Sequence, residues 1–114
     1  MPSSLSNERS RKIAQLNDDF RQTFIGGKIY VTTGLNSLGP EVVQKAFKKV
    51  RTFDRFDRDN DPYGEHDFGS ITVEGQTVFW KIDYYDSDLM HGSEDPTDLK
   101  ITCRVLTVML AEEY

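Results

Sequence analysis

With one cysteine, two histidines and no long apolar run, the 114-residue chain excludes several kinds of protein at the start. Cys103 has no partner in the chain, so no internal disulfide holds the fold, and a reducing cytoplasm is the expected compartment. His66, His91 and Cys103 lack the short spacing of a zinc motif, so no metal is expected, and Cys103 reads as a small buried side chain in an apolar run. The apolar runs are a few residues long, against the roughly 20 needed to cross a bilayer, and no membrane association is expected. The first ten residues have no apolar stretch behind their charges and do not read as a secretory signal. A Gly-rich phosphate loop, HExxH and a nucleophile elbow are all missing, and no cofactor is expected.

The chain does carry charge, in two unequal halves. Residues 1–58 hold 11 Lys or Arg against 6 Asp or Glu, a balance of +5. Residues 59–114 hold 3 against 13, a balance of −10, and together they give the net charge of −5. Such a chain can pair its own halves or offer a basic surface and an acidic one to different partners. An apolar fraction of 37%, with one Trp, five Tyr and seven Phe, is enough for one folded core. A single domain over residues 1–114 is expected, with residues 1–6 as a loose tail.

Ile13, Leu16, Phe20 and Phe24 share one stripe of a helix predicted over residues 7–24 and ended by Gly26 and Gly27. Residues 28–33 are β-branched and aromatic, and predict a short strand. Pro40 opens a second helix to Phe53, with Val43, Ala46, Phe47, Val50 and Phe53 on its apolar face. Strands over 68–73 and 76–86 meet at Glu74-Gly75 as a hairpin, with Val78, Trp80, Ile82 and Tyr84 facing the core. Residues 86–100 form an acidic connection too polar to bury, a candidate mobile segment. The run 101–110 fits a helical stripe as well as a strand; its five β-branched residues favour a strand. The expected fold is α+β, in the order α-β-α-β-β-β, with two helices on one face of a four-stranded, mainly antiparallel sheet.

The chemistry concentrates between Asp59 and Gly69, where carboxylates surround His66 in a loop between apolar runs. Asp57, Asp59 and Asp61 alternate as the first ligands of a calcium loop do, but Pro62 and Phe68 stand where that loop needs Gly and Glu. Asp61-Pro62-Tyr63-Gly64 instead reads as a β-turn. If the loop folds over the sheet, Glu65, His66, Lys81 and Asp83 are the four groups that an acid–base reaction would use. Lys45, Lys48 and Lys49 share a helix face that phosphates could meet, although the acidic half opposes nucleic acid.

The segments 60–69, 79–86 and 104–114 resemble a family catalogued as domain of unknown function 3768, over most of the chain from Ile13. The resemblance implies an alphaproteobacterial protein, often carried on plasmids or mobile elements. It brings no activity and no assigned residues.

These observations lead to a non-catalytic binding or accessory module, acting on a protein partner with a basic surface. Its expected surface is Asp59, Asp61, Tyr63, Glu65, His66 and Asp67 in the loop, and Lys81, Asp83 and Tyr85 on the open sheet face. The alternative is a small hydrolase or nuclease-like enzyme, which requires Glu65, His66, Lys81 and Asp83 to converge.

Overall fold

The structure is a computed structural model that describes residues 4–114, with side chains from residue 7; residues 1–3 of the expected tail lie outside the described residues. The elements are α1 (Ser4–Thr23), β1 (Gly27–Val31), α2 (Thr33–Asn36), α3 (Pro40–Arg51), β2 (Phe68–Val73), β3 (Gln76–Tyr85) and β4 (Cys103–Leu110). A 3-10 turn at Ala111–Glu113 follows β4. The strands lie in the order β1-β4-β3-β2, with β1 parallel to β4 and the other pairs antiparallel. The fold is α+β, as expected, with one short helix more than the sequence suggested. No helix among the described residues is long and apolar enough to cross a membrane.

α2 is one turn long and contains Gly34, a poor helix former, so its sequence gives little sign of it. Tertiary contacts hold it. Leu35 is fully buried, while Glu113 accepts hydrogen bonds from the Thr32 hydroxyl at 2.5 Å and the Gly34 N–H at 2.9 Å. These bonds hold the Glu113 carboxyl below its ordinary value, the Thr32 hydroxyl contributing most.

β4 lies between β1 and β3, and its burial explains its ambiguous sequence. Val105 and Met109 on one face are buried along with Arg104, Leu106, Val108 and Leu110 on the other, so β4 loses the alternation that β3, also internal, keeps. It starts at Cys103, and Ile101 stays in the preceding turn.

α1 ends at Thr23, one residue short of the predicted limit. Phe24 takes a left-handed conformation (φ 59°), bonds back to the Phe20 carbonyl and packs edge-on against Phe47. The buried stripe of α1 is Ile13, Ala14, Asn17, Phe20 and Arg21, and so includes two polar side chains. α3 starts as expected, at Pro40 after Gly39, and buries Val42, Val43, Ala46 and Val50.

Phe20, Leu35, Val42, Ala46 and Val50 from the three helices meet Val78, Trp80, Ile82, Leu106 and Val108 in one core on one face of the sheet. Among the described residues, none from α1, α2 or α3 borders the hollows of the other face. Trp80 is fully buried, with Phe53 edge-on at 5.4 Å. Gly69, across from Trp80 on β2, leaves room for the indole: a Cβ there would lie 2.4 Å from Nε1 and 2.8 Å from the Phe53 ring. Overpacking a core site costs about 1–3 kcal/mol. Gly69→Ala is therefore expected to lower stability by about that amount in urea denaturation, and an unchanged midpoint would contradict the packing.

Candidate functional site

The segment between α3 and β2 folds on its own polar side chains. Asp57 Oδ1 accepts the N–H groups of Asp59 and Asn60, while Asn60 Oδ1 accepts the Asp57 N–H and Asn60 Nδ2 donates to the Arg55 carbonyl. The Asp61 N–H then bonds to the Asp57 carbonyl, and the Gly64 N–H closes a turn on the Asp61 carbonyl. Gly64, at φ 69°, supplies the left-handed residue of that turn. Asp61 is buried, and its Oδ1 accepts the N–H groups of both Glu65 and His66 at 3.0 Å.

His66 is held from three sides. It has a positive φ of 56°, its Nδ1 lies 3.0 Å from both Asp18 carboxylate oxygens, and its Nε2 lies 3.7 Å from Asp61 Oδ2. Its ring stacks on Phe56 at 3.9 Å with an interplanar angle of 2°. Asp18 also accepts from Arg21 at 2.9 Å. Arg21, 1% exposed, donates to the carbonyls of Val50 (2.8 Å) and Arg51 (3.5 Å) and lies over the rings of Phe56 and Trp80. Those carbonyls belong to the last turn of α3, whose C=O groups have no partners within the helix. A cation is favourable there for the same reason.

A second chain of bonds starts at Glu65. Tyr84 donates its hydroxyl to Glu65 Oε1 at 2.9 Å, and the Asn17 amide donates to the Tyr84 oxygen (2.8 Å) and the Glu65 carbonyl (2.9 Å). Asn17 Oδ1 accepts Arg104 Nε at 2.6 Å, and Arg104 also donates to the Pro96 carbonyl. This last bond ties the acidic connection after β3 to the sheet. Burial pushes the Tyr84 hydroxyl far above its ordinary value, and the Glu65 carboxylate adds to the shift against the opposing Asn17 bond. Burial also raises the Asp67 carboxyl, with Glu65 the next cause, and lowers the Arg104 guanidinium.

The expected site residues therefore separate. Glu65 and His66 bond to α1, Asp61 is buried beneath them and bonds to their N–H groups, and Asp67 is half-buried beside them. Asp59 and Tyr63 project into solvent, Tyr63 at 78% exposure. Lys81 and Asp83 pair with each other at 2.9 Å on the other side of β3, where Tyr85 also points. The sheet thus lies between Glu65 and His66 on one side and Lys81 and Asp83 on the other, and the four groups of the acid–base alternative do not converge. Among the described residues, no three His, Cys, Asp or Glu side chains are grouped to hold a metal ion.

Asn17, Asp18, Arg21 and Arg104 were not among the expected site residues. A signal for two of them exists in the sequence. Asn17 and Arg21 follow Ile13 at helical spacing, on the stripe where only apolar residues would be needed if nothing polar lay opposite.

The bare face of the sheet is a second open feature. Two adjoining hollows of about 280 and 400 Å³ share Tyr85, Val105 and Thr107. Tyr30 and Leu89 border the first, and Lys81, Asp83 and Tyr114 border the second. Tyr114 folds back so that its ring meets Phe68 and Phe79 at 5.9 and 5.8 Å.

Residues 31–113 match the model of a family described as "Protein of unknown function (DUF3768)", and the chain belongs to that family. The match is shorter than the resemblance that began at Ile13, so Asn17, Asp18 and Arg21 lie before the matched segment. No curated protein matches the chain, and no solved structure does.

The Tyr84 geometry has a consequence for alkaline stability. A hydroxyl whose pKa is raised by folding contributes its full stability below the unfolded value of about 10 and loses it as pH rises toward the folded value. Urea denaturation between pH 8 and 11 should show stability falling above about pH 10, and falling less steeply in Tyr84→Phe. Parallel slopes for the two proteins would contradict a buried, protonated Tyr84.

Proposed function

We propose that the chain is a non-catalytic binding module that engages a basic protein partner through the bare face of its sheet. The observation that carries this reading is the division of the polar groups. Glu65 and His66 are engaged in holding the loop to α1, and Lys81 and Asp83 pair with each other across the sheet from them, while the bare face offers aromatic rings around a hollow.

That face suits a protein partner. Tyr30, Tyr85 and Tyr114 supply contact area at small entropic cost, over a floor of Val105 and Met109. The acidic connection after β3 borders it through Leu89, and its residues 86–100 hold five carboxylates against Lys100. A basic surface would therefore be steered to this side of the molecule. Asp59 and Tyr63 are the loop residues left open for contact. The mobile-element setting implied by the family resemblance, and a cytoplasmic site of action, belong to this reading as an accessory factor of a bacterial complex.

Affinity capture from a bacterial lysate at fixed salt tests it with two variants. Tyr30→Ser with Tyr85→Ser should lose a basic protein that the wild type retains, whereas Asp59→Asn with Tyr63→Ser should keep most of it. Retention should weaken as salt is raised, because exposed charges are screened. Equal retention by the sheet-face variant and the wild type would contradict the assignment.

A further inference from the structure

β2 is an edge strand, and the alternation of its ladder determines which backbone groups are free. The Ile82 N–H bonds to the Asp67 carbonyl, and the register pairs Gly69 with Trp80 and Ile71 with Val78. Residues 67, 69, 71 and 73 therefore direct their N–H and C=O groups to β3, while Phe68, Ser70 and Thr72 direct theirs outward. The Thr72 carbonyl confirms this pattern, since it accepts Lys49 Nζ at 2.5 Å. Among the described residues, the Ser70 N–H and C=O and the Thr72 N–H have no partner, and both side chains are exposed.

α3 runs beside this edge and makes a groove of it. Two adjoining hollows of about 470 and 420 Å³ share Lys49 and Thr52; Ser70 and Thr72 border the first and Val73 the second. The groove carries Lys45, Lys48, Lys49 and Arg55 against Asp54 and Glu74. Lys45 is paired with Glu74 at 2.5 Å, whereas Lys48 and Arg55 have no carboxylate partner among the described residues.

We propose that this groove is a docking site for an extended acidic segment of a protein partner, which would add to the sheet as a fifth strand beside β2. Main-chain bonds to Ser70 and Thr72 would supply the affinity, and the lysine row would select carboxylates at alternate positions, the spacing at which a strand presents side chains to one face. A lysine beside an edge strand is also a common guard against unwanted pairing. Here the guard covers one carbonyl of a six-residue strand with neither bulge nor proline, and an arriving carboxylate could draw Lys49 away from it. A second copy of this chain fits poorly. Two-fold pairing of β2 with itself would set two lysine rows against each other on the same side of the joined sheet. Nucleic acid would use the charges but leave the strand edge unpaired. This site goes beyond the bare-face reading: it lies at another edge of the sheet and has the opposite charge preference.

The experiment titrates a capped seven-residue peptide of alternating Asp and Val, and the same residues scrambled, into the isotope-labelled protein by NMR. The Ser70 and Thr72 amides should shift with the alternating peptide, weakly with the scrambled one, and less at high salt. Ser70→Pro removes an N–H that the ladder does not use, and should weaken binding about tenfold with the fold retained. Lys48→Glu with Lys49→Glu, two exposed changes, should do the same, while Tyr30→Ser with Tyr85→Ser should leave this binding unchanged. No shift at Ser70 and Thr72 with peptide at about 1 mM, equal binding by Ser70→Pro, tighter binding of a single-stranded oligonucleotide, or self-association through this edge would each overturn the proposal.

Discussion

Arg21 is the group on which the arrangement depends. A guanidinium with 1% exposure has lost its water, and the interior must replace it. Asp18 supplies the opposite charge, the end of α3 supplies carbonyls, and Phe56 and Trp80 supply ring faces. A single side chain of α1 thereby fixes α1 against α3, and Phe56 against the core. Removing one partner from such an arrangement is costly, because the remaining charge stays buried.

The loop follows from that constraint. Asp18, held by Arg21, is also the partner of His66, and Asp61 fixes the backbone of Glu65 and His66 from the other side. Asn17 adds a second attachment through Tyr84 and Arg104. In the acidic loop that looks like a site in the sequence, Asp61, Glu65 and His66 are thus bonded to the folded body. The bare sheet face, bordered by the acidic connection, and the β2 edge, bordered by the lysines of α3, remain open.

The sequence made much of the fold legible. The hairpin at Glu74-Gly75, the Pro40 start of α3 and the inward set of Val78, Trp80 and Ile82 follow from period and turn chemistry, which are local. α2 could not be read because its stability comes from Glu113, 79 residues away at the Gly34 contact. β4 was ambiguous because residues of both its faces are buried, which removes the alternation. The loop was legible as a polar cluster. Its partners were not legible, since Asn17, Asp18 and Arg21 are distant in sequence and only folding brings them to Glu65 and His66.

Amide hydrogen exchange at Glu65 and His66 tests most directly whether the loop is part of the folded body. Both N–H groups bond to a buried carboxylate, whereas the Tyr63 amide beside them has no such bond. Glu65 and His66 are expected to exchange as slowly as core amides such as that of Phe20, with Tyr63 fast. Exchange of all three at the same fast rate would mean that the loop opens freely, and would contradict the account.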